Sequence, residues 1–369
     1  MGVLYLLSAG SSARKAGPRI VVEKDSEVLG RLPIRSIDGV VAGRNAQLST
    51  QTIFELMELR IPIFYIDGYG KIVGQFVYEK QSTARFFRQL EMFQEPSSQL
   101  ELSREIISEK ISNQRDLLKR YEKTVDFEKL DQTSNKLKRL AEKLSSAQSL
   151  DEIRGIEGAA SKIYFATFSK ILDQTRWKWK ERSQHPAKDP VNALLNYGYA
   201  FLEREVRIAT ALAAMDARIG FFHSNNGRKD SLVFDLMEFF RQPIIDRFVL
   251  NLLNKKMIQS ENFSSTPEEC RLNDDGRIIF CSRYEEYMAK VYREYEFCAI
   301  KKDQSIHGII DLMLEYDDHI DIIDYKLKNT DDAEYKVQLE GYASFIKTKF
   351  DKPINKYLYS IIDGTIKRI

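Results

Sequence analysis

The sequence predicts a multidomain α+β protein, and three observations carry the prediction. Short β-branched runs broken by Gly, Pro, Asp and Ser fill Val3 to Val77, an apolar period of 3.6 takes over at Gln81 and lasts to Tyr292, and alternating strand and helix patterns return from Ile306. With 369 residues, 43% of them apolar, the chain has material for two or three cores. The expected layout is an N-terminal β-domain over 1–79, an α-helical domain over 80–293 and a small α/β segment over 294–369.

In the first segment, strands are expected at Val3–Leu7, Arg19–Val22, Glu27–Leu32 and Gly39–Val41. Leu48-Ser49-Thr50 opens one helix with an apolar face of Ile53, Leu56, Met57 and Leu59. Ile61–Ile66 and Ile72–Val77 then pair through the turn Asp67-Gly68-Tyr69-Gly70.

The helical segment starts with Phe86, Phe87, Leu90 and Phe93 on one face and is broken at Pro96-Ser97-Ser98. Leu100–Tyr121 carries Leu102, Ile106, Ile107, Ile111 and Leu117 on one side, and Lys129–Leu144 is similar but richer in lysine. Charge runs on such helices are solvated faces more often than nucleic-acid surfaces. A helix from Ile153 contains Ile156-Glu157-Gly158-Ala159-Ala160-Ser161; its small residues suit a close helix crossing and would also let another element reach Glu157. Arg176-Trp177-Lys178-Trp179-Lys180 alternates cations with aromatics, a composition that can contact phosphate and stack on bases, so Arg176, Lys178 and Lys180 are DNA-binding candidates. Asp189-Pro190 sets an N-cap before Pro at the first helical position and launches Val191–Ala214, on which buried amide hydrogen bonds account for Asn192 and Asn196. A polar stretch around Ser260–Pro267 and a helix from Arg283 to Tyr292 end this segment. In the last one, Ile306–Glu315 and Ile320–Lys326 are strands joined at Asp317-Asp318, Glu334–Phe350 is an amphipathic helix, and strands Asn355–Ile362 and Thr365–Arg368 flank Asp363-Gly364.

Composition excludes more than it selects. Lys plus Arg number 56 against 54 for Asp plus Glu, a net charge of +2, so any nucleic-acid surface must come from local clustering. Cys270, Cys281 and Cys298 are far apart with no CxxC, which argues against a zinc knuckle or a disulfide scaffold and fits a reducing compartment. No secretory leader opens the sequence and no apolar run is long enough for a bilayer, so a cytoplasmic protein with no membrane partner is expected.

Chemistry concentrates in Gly220–Arg247. Asn225-Asn226-Gly227 makes a tight turn, Asp230 or Ser231 caps a helix over Leu232–Arg241, and that helix is apolar nearly all round, so it belongs inside the protein. Asp235 and Glu238 nevertheless lie three apart on one side of it. A carboxylate taken out of water costs several kcal/mol unless a cation or donors compensate. Arg241 or Arg247 could supply a structural ion pair; alternatively His223, carried back over the helix by the turn, could join the acids around a divalent ion such as Mg²⁺ or Mn²⁺. A satisfied core histidine is the plainer account of His223 taken alone.

Together the stretches LYLLSAGSS, RLPIRSIDGVV, LSTQTIFELMELRIPIFYIDGYGKIVG, IRGIEGAASKIYF, DPVNALLNYGYAFLEREV and FFHSNNGRKDSLVFDLMEFFRQPIIDR, in this order, resemble the CRISPR-associated endonuclease and integrase that installs new spacers. The resemblance covers Val3 to about Met288. It implies a dimerising β-domain followed by a helical catalytic domain, metal ligation by Glu157, His223 and Glu238, and Asp235 as an acid beside the site. It also implies a homodimer that works with a small ferredoxin-like companion on double-stranded DNA, joining the 3′ ends of a captured fragment to the repeat array.

The tail departs from that family. YREYEFCAI, IHGIIDLMLEYDDHIDIIDYKLKN and YKVQLEGYASF resemble the core of RecB-like PD-(D/E)xK nucleases. Asp311, Asp324, Lys326, Gln338 and Tyr342 fall on its motif positions, with Glu294 as the first-motif acid, which implies a second, DNA-trimming nuclease. Two further accounts stand beside this one: a structure-selective DNA nuclease without an integration role, and a DNA-binding assembly scaffold whose acids are structural ion pairs.

Overall fold

The β-branched runs of the first segment fold into two four-stranded sheets. The computed structural model describes residues 2–121, 127–183, 186–223, 230–288, 291–301, 304–315, 319–326, 333–360 and 365–369. By its internal contacts the chain divides into two units, Met1–Cys281 and Ser282–Ile369. Asn225-Asn226-Gly227, Asp317-Asp318 and Asp363-Gly364, where turns are expected, lie outside the described residues, as does the side chain of Glu294.

In the first unit, β1 (Gly2–Leu6), β2 (Ser11–Ala16), β3 (Arg19–Lys24), β4 (Glu27–Pro33), β5 (Ile37–Gly43) and β6 (Gln47–Leu48) precede α1 (Thr50–Glu58). β7 (Ile63–Ile66) and β8 (Ile72–Phe76) follow it. One sheet runs β1-β5-β7-β8, with β1, β5 and β7 parallel; the other runs β4-β3-β2-β6. Ser49 caps α1 by accepting from the Thr52 amide, and Leu56 of α1 joins Leu6, Ala13, Ile20, Ile34, Ile37, Val40 and Ile63 in one core. Strand β2 has no counterpart in the sequence expectations, because SSARKA buries small residues where a β-branched signal would be sought.

Helices then dominate: α2 (Thr83–Gln94), α3 (Pro96–Lys119), α4 (Phe127–Leu144) and α5 (Leu150–Ile171), the last three packed on one another. After the one-turn α6 (Gln174–Trp177) comes α7 (Pro190–Leu212), started as expected by Asp189, which accepts from the Asn192 amide, and by Pro190. The apolar helix expected over Leu232–Arg241 is instead α8 (Ser231–Met237), a tight turn, and a π-helical turn over Arg241–Asp246 that leads into α9 (Arg247–Asn254). Pro243 explains the break. It has no amide hydrogen to give to the Phe239 carbonyl, which accepts from Asn113 Nδ2 at 3.1 Å instead. The expectation that this segment is wholly internal also fails at Phe240, which is 43% exposed.

A hairpin of β9 (Phe263–Ser265) and β10 (Cys270–Leu272) occupies the expected polar stretch, and α10 (Asp274–Met288) carries the chain into the second unit. There β11 (Val291–Lys301), β12 (Gln304–Glu315), β13 (Ile320–Lys326), β14 (Ile354–Ser360) and β15 (Ile366–Arg368) form one sheet in sequence order, parallel only between β13 and β14. The helix expected to reach Tyr292 is described as far as Met288, and position 292 belongs to β11, which runs through position 294. α11 (Ala333–Lys347) packs Leu339, Tyr342, Ala343 and Ile346 against Ile310, Met313, Ile320, Ile322 and Leu358 of the sheet. No described helix is long and apolar enough to cross a membrane.

Candidate active site

Glu157 of α5, Glu238 just beyond α8 and His223 from the segment before α8 line one cleft of about 680 Å³ in the first unit. The placement of His223 begins with Gly220. A Cβ there would lie 2.6 Å from the Ser231 carbonyl carbon, so only glycine lets the chain pass the start of α8 this closely. Asp235, fully buried, then accepts from the amides of Phe221 (2.5 Å), Phe222 (3.1 Å) and His223 (2.9 Å) and from His223 Nδ1 (2.7 Å). Four donors saturate the carboxylate. Asp235 is therefore an orienting group: a carboxylate can only accept, so it holds Nδ1 as the donor and turns Nε2 toward Glu238, 3.9 Å from Oε1.

Two cations compensate Glu238. Arg241, the structural partner weighed from sequence, places Nε 3.2 Å from Glu238 Oε1. The second is Lys110 of α3, a helix whose charges were expected to form a solvated face; its Nζ is 2.5 Å from Glu157 Oε1 and 2.8 Å from Glu238 Oε2. Burial alone would raise the Glu238 pKa, but Arg241 and Lys110 outweigh it and pull the carboxyl down to about 2. Burial would lower that of Lys110, and Glu238 and Glu157 reverse the direction. Glu157, its side chain 24% exposed, also accepts from Ser161 Oγ at 2.8 Å. Of the small residues after it, Gly158 and Ala159 are exposed, and a Cβ added at Gly158 would meet nothing within 4 Å, whereas Ala160 is buried and is the one that serves packing.

The rest of the cleft wall is rich in cations: Lys162, Lys180, Arg182 and Arg241, with Phe165 and Tyr199 between them. Arg182 is held by the two amides on α7 that buried hydrogen bonding was expected to explain, donating to Asn192 Oδ1 (2.9 Å) and Asn196 Oδ1 (2.7 Å). Of the three cations of the Arg/Trp/Lys run, Lys180 lines the cleft. Lys178 is exposed at a left-handed turn, and Arg176 bonds Gln259 and lies over Trp177. The indoles correct the base-stacking expectation: Trp177 and Trp179 are buried, Trp177 against Phe263 and Trp179 against Phe165 and Phe168.

Behind Arg241, whose guanidinium lies 4.6 Å from the Tyr199 ring centre, a buried Asp246 accepts from Tyr164 (2.7 Å) and Tyr199 (2.6 Å). Burial raises this carboxyl to about 6 despite both hydroxyls and the nearby Arg182 and Arg241. A folded-state pKa above the ordinary carboxylate value of about 3.9 means that the contribution is complete below about pH 4 and is lost as pH rises to about 6. The urea midpoint of the wild type, measured relative to Asp246→Asn, should therefore fall across that window; parallel profiles would reject the assignment.

In the second unit the five motif residues of the tail come together. Asp324 and Lys326 share one face of β13 as an ion pair (2.5 Å), and Lys326 Nζ also donates to Gln338 Oε1 (3.0 Å) on α11. Gln338 Nε2 reaches the Tyr342 hydroxyl (2.5 Å), and Asp311 Oδ2 of β12 accepts from the Tyr325 amide (2.6 Å). Burial raises the Asp324 pKa against the pull of Lys326, and Asp311 pushes it in the same direction as burial.

Whether the first cleft suits a divalent ion can be judged from its donors. Glu238 Oε2 is buried and accepts no well-directed hydrogen bond, only the charge contact with Lys110, and His223 turns Nε2 toward Glu238 while Nδ1 is taken by Asp235. Two carboxylates and an imidazole are a fitting donor set. As the side chains stand, however, no three His, Cys, Asp or Glu among the described residues are gathered tightly enough to hold an ion, and the Lys110 ammonium lies between Glu157 and Glu238.

The family model described as CRISPR associated protein Cas1 matches residues 4–286. The CRISPR-associated endonuclease Cas1 of Thermotoga maritima is 29% identical over 290 residues, which cover 78% of this chain and 87% of that protein. A solved structure of a Cas1 protein from Thermotoga maritima superposes with a TM-score of 0.69 at 27% identity, covering 79% of this chain and 91% of that one. A CRISPR-associated exonuclease Cas4/endonuclease Cas1 fusion from Leptospira interrogans is 28% identical over 292 residues, 76% of this chain and 54% of the fusion.

Proposed function

Because the chain belongs to the Cas1 family of CRISPR-associated proteins, we propose that it is a divalent-metal-dependent DNA integrase and endonuclease that inserts captured fragments into the repeat array. The observation that carries this reading is the convergence of Glu157 and Glu238 on a single ammonium, with His223 Nε2 beside Glu238, in a cation-lined cleft. Glu157, Glu238 and His223 would hold Mg²⁺ or Mn²⁺, and such an ion would polarise the phosphate under attack and stabilise the charge growing on its oxygens.

The chain's own groups supply the rest. Asp235 fixes the tautomer and the orientation of His223, Arg241 stays locked on Glu238, and Lys162, Lys180 and Arg182 offer charge to the phosphates of DNA lying in the cleft. The incoming 3′ oxygen loses its proton and bonds to phosphorus as the bond to the outgoing 3′ oxygen breaks, and that oxygen takes up a proton. Water in place of the 3′-OH gives hydrolysis. The resemblance supports a homodimer acting on double-stranded DNA with a small ferredoxin-like companion.

In a test, the chain and its companion are incubated with a labelled duplex bearing 3′-OH ends, a repeat-containing plasmid and Mn²⁺. Label should become covalently attached to the plasmid, and chelation of the metal should prevent it. Cleavage of branched DNA without companion or repeat, and no joining, would favour a structure-selective nuclease; neither activity and no Mn²⁺ binding would favour a scaffold. For the tail, we infer a RecB-like DNA-trimming site formed by Asp311, Asp324, Lys326, Gln338 and Tyr342, supported by their mutual contacts. Two acids and a lysine of this kind can hold a metal and polarise a phosphate or the attacking water.

A further inference from the structure

Lys110 sits on the buried side of α3 together with Ile106, Ile107, Ile111 and Gln114, and its side chain is only 9% exposed. An ammonium held there costs several kcal/mol in lost hydration unless paired, and its partners are Glu157 and Glu238. These are the two carboxylates that the proposed function assigns to a divalent ion, so the inference rests on that reading. An ammonium in contact with one oxygen of each acid occupies the space such an ion would need, and the two positive groups would repel each other at close range. Lys110 thus adds a second cation beside the Arg241 that pairs with Glu238, so that two cations meet the charges of Glu157 and Glu238.

We propose that Lys110 is a displaceable counter-ion, so that metal binding at this site is an exchange in which the ammonium releases Glu157 and Glu238. The flexible four-carbon stem permits the movement while α3 stays fixed, which the planar guanidinium of an arginine would do less readily. Two properties follow. The chain folds with its acidic pair neutralised whether or not metal is bound, and its metal affinity is weaker than the same acids would give without the lysine.

The test is direct Mn²⁺ binding to the 369-residue chain, followed by calorimetry and by the electron paramagnetic resonance of free Mn²⁺. Lys110→Met should bind about 10- to 100-fold more tightly than wild type, a range typical of changes to groups that tune metal ligands. Its thermal midpoint should also rise more on adding Mn²⁺. Lys110→Gln removes the charge but keeps a donor for the carboxylates, and should tighten binding likewise if the methionine variant folds poorly. Lys110→Arg should bind no more tightly than wild type, and Glu157→Gln identifies the pocket by weakening binding. Equal or weaker affinity in the Met and Gln variants, with normal binding by wild type, overturns the exchange and leaves the metal reading intact; no Mn²⁺ bound by any of them overturns both.

Discussion

Glu157→Gln should lower the rate of strand joining by about 10³-fold or more while leaving the fold and DNA affinity close to wild type, as expected when one anionic anchor of a metal-assisted phosphoryl transfer is neutralised. Glu157 is a better probe than Glu238. Glu238 is almost wholly buried and pairs with both Lys110 and Arg241, so removing it strands Arg241 and leaves Lys110 with Glu157 alone, at a cost of about 3–5 kcal/mol, and activity would be confounded with unfolding. Glu157 is partly exposed, and Lys110 keeps Glu238 as a partner when it changes. Labelled-plasmid formation, read beside circular dichroism and a DNA-binding isotherm, decides the matter: joining at the wild-type rate would remove Glu157 from the chemistry.

Asp324→Asn should abolish 3′-end trimming of long captured fragments, by at least about 100-fold, without touching the joining of fragments already cut to length. The substitution keeps shape and removes only charge. Lys326 retains Gln338 and the face of Tyr335, so the local fold should survive. Gel analysis of end-labelled DNA separates the two activities, since Glu157→Gln should trim normally and fail to join. Trimming unchanged in Asp324→Asn, or absent from the wild type, would make the tail a docking module.

What the sequence disclosed of the site depended on whether a residue's neighbours were local. Asp235 and Glu238 announce themselves as acids in an apolar helix, and the turn after His223 suggested that its ring folds back, as its bond to Asp235 now shows. Lys110 was invisible for the opposite reason: it meets its partners through contacts between distant elements, and a lone lysine on a helix looks solvated. A buried lysine among Ile106, Ile107 and Ile111 was nevertheless the available signal, because apolar spacing places position 110 on the inward face. In the fold, β11 was missed because residues 289 and 290, between it and α10, are Ala and Lys and carry no Gly or Pro to mark the change. The alternation in Arg176–Lys180 was visible but misjudged, since two-residue periodicity sends the indoles inward as readily as it sends the cations outward.

The π turn at Arg241–Asp246 has a consequence for how this region tolerates change. An extra residue in one turn rotates everything downstream by about 100° relative to a regular helix, so it acts as a phase shifter between the segment that serves the cleft and the segment that serves the interior. Upstream, Glu238 answers to Lys110 and Arg241; downstream, Phe248, Val249 and Leu250 are buried in the core. The residues that serve the cleft and those that serve the interior thus lie on segments of different helical phase, and an insertion or deletion within Arg241–Asp246 would turn one against the other.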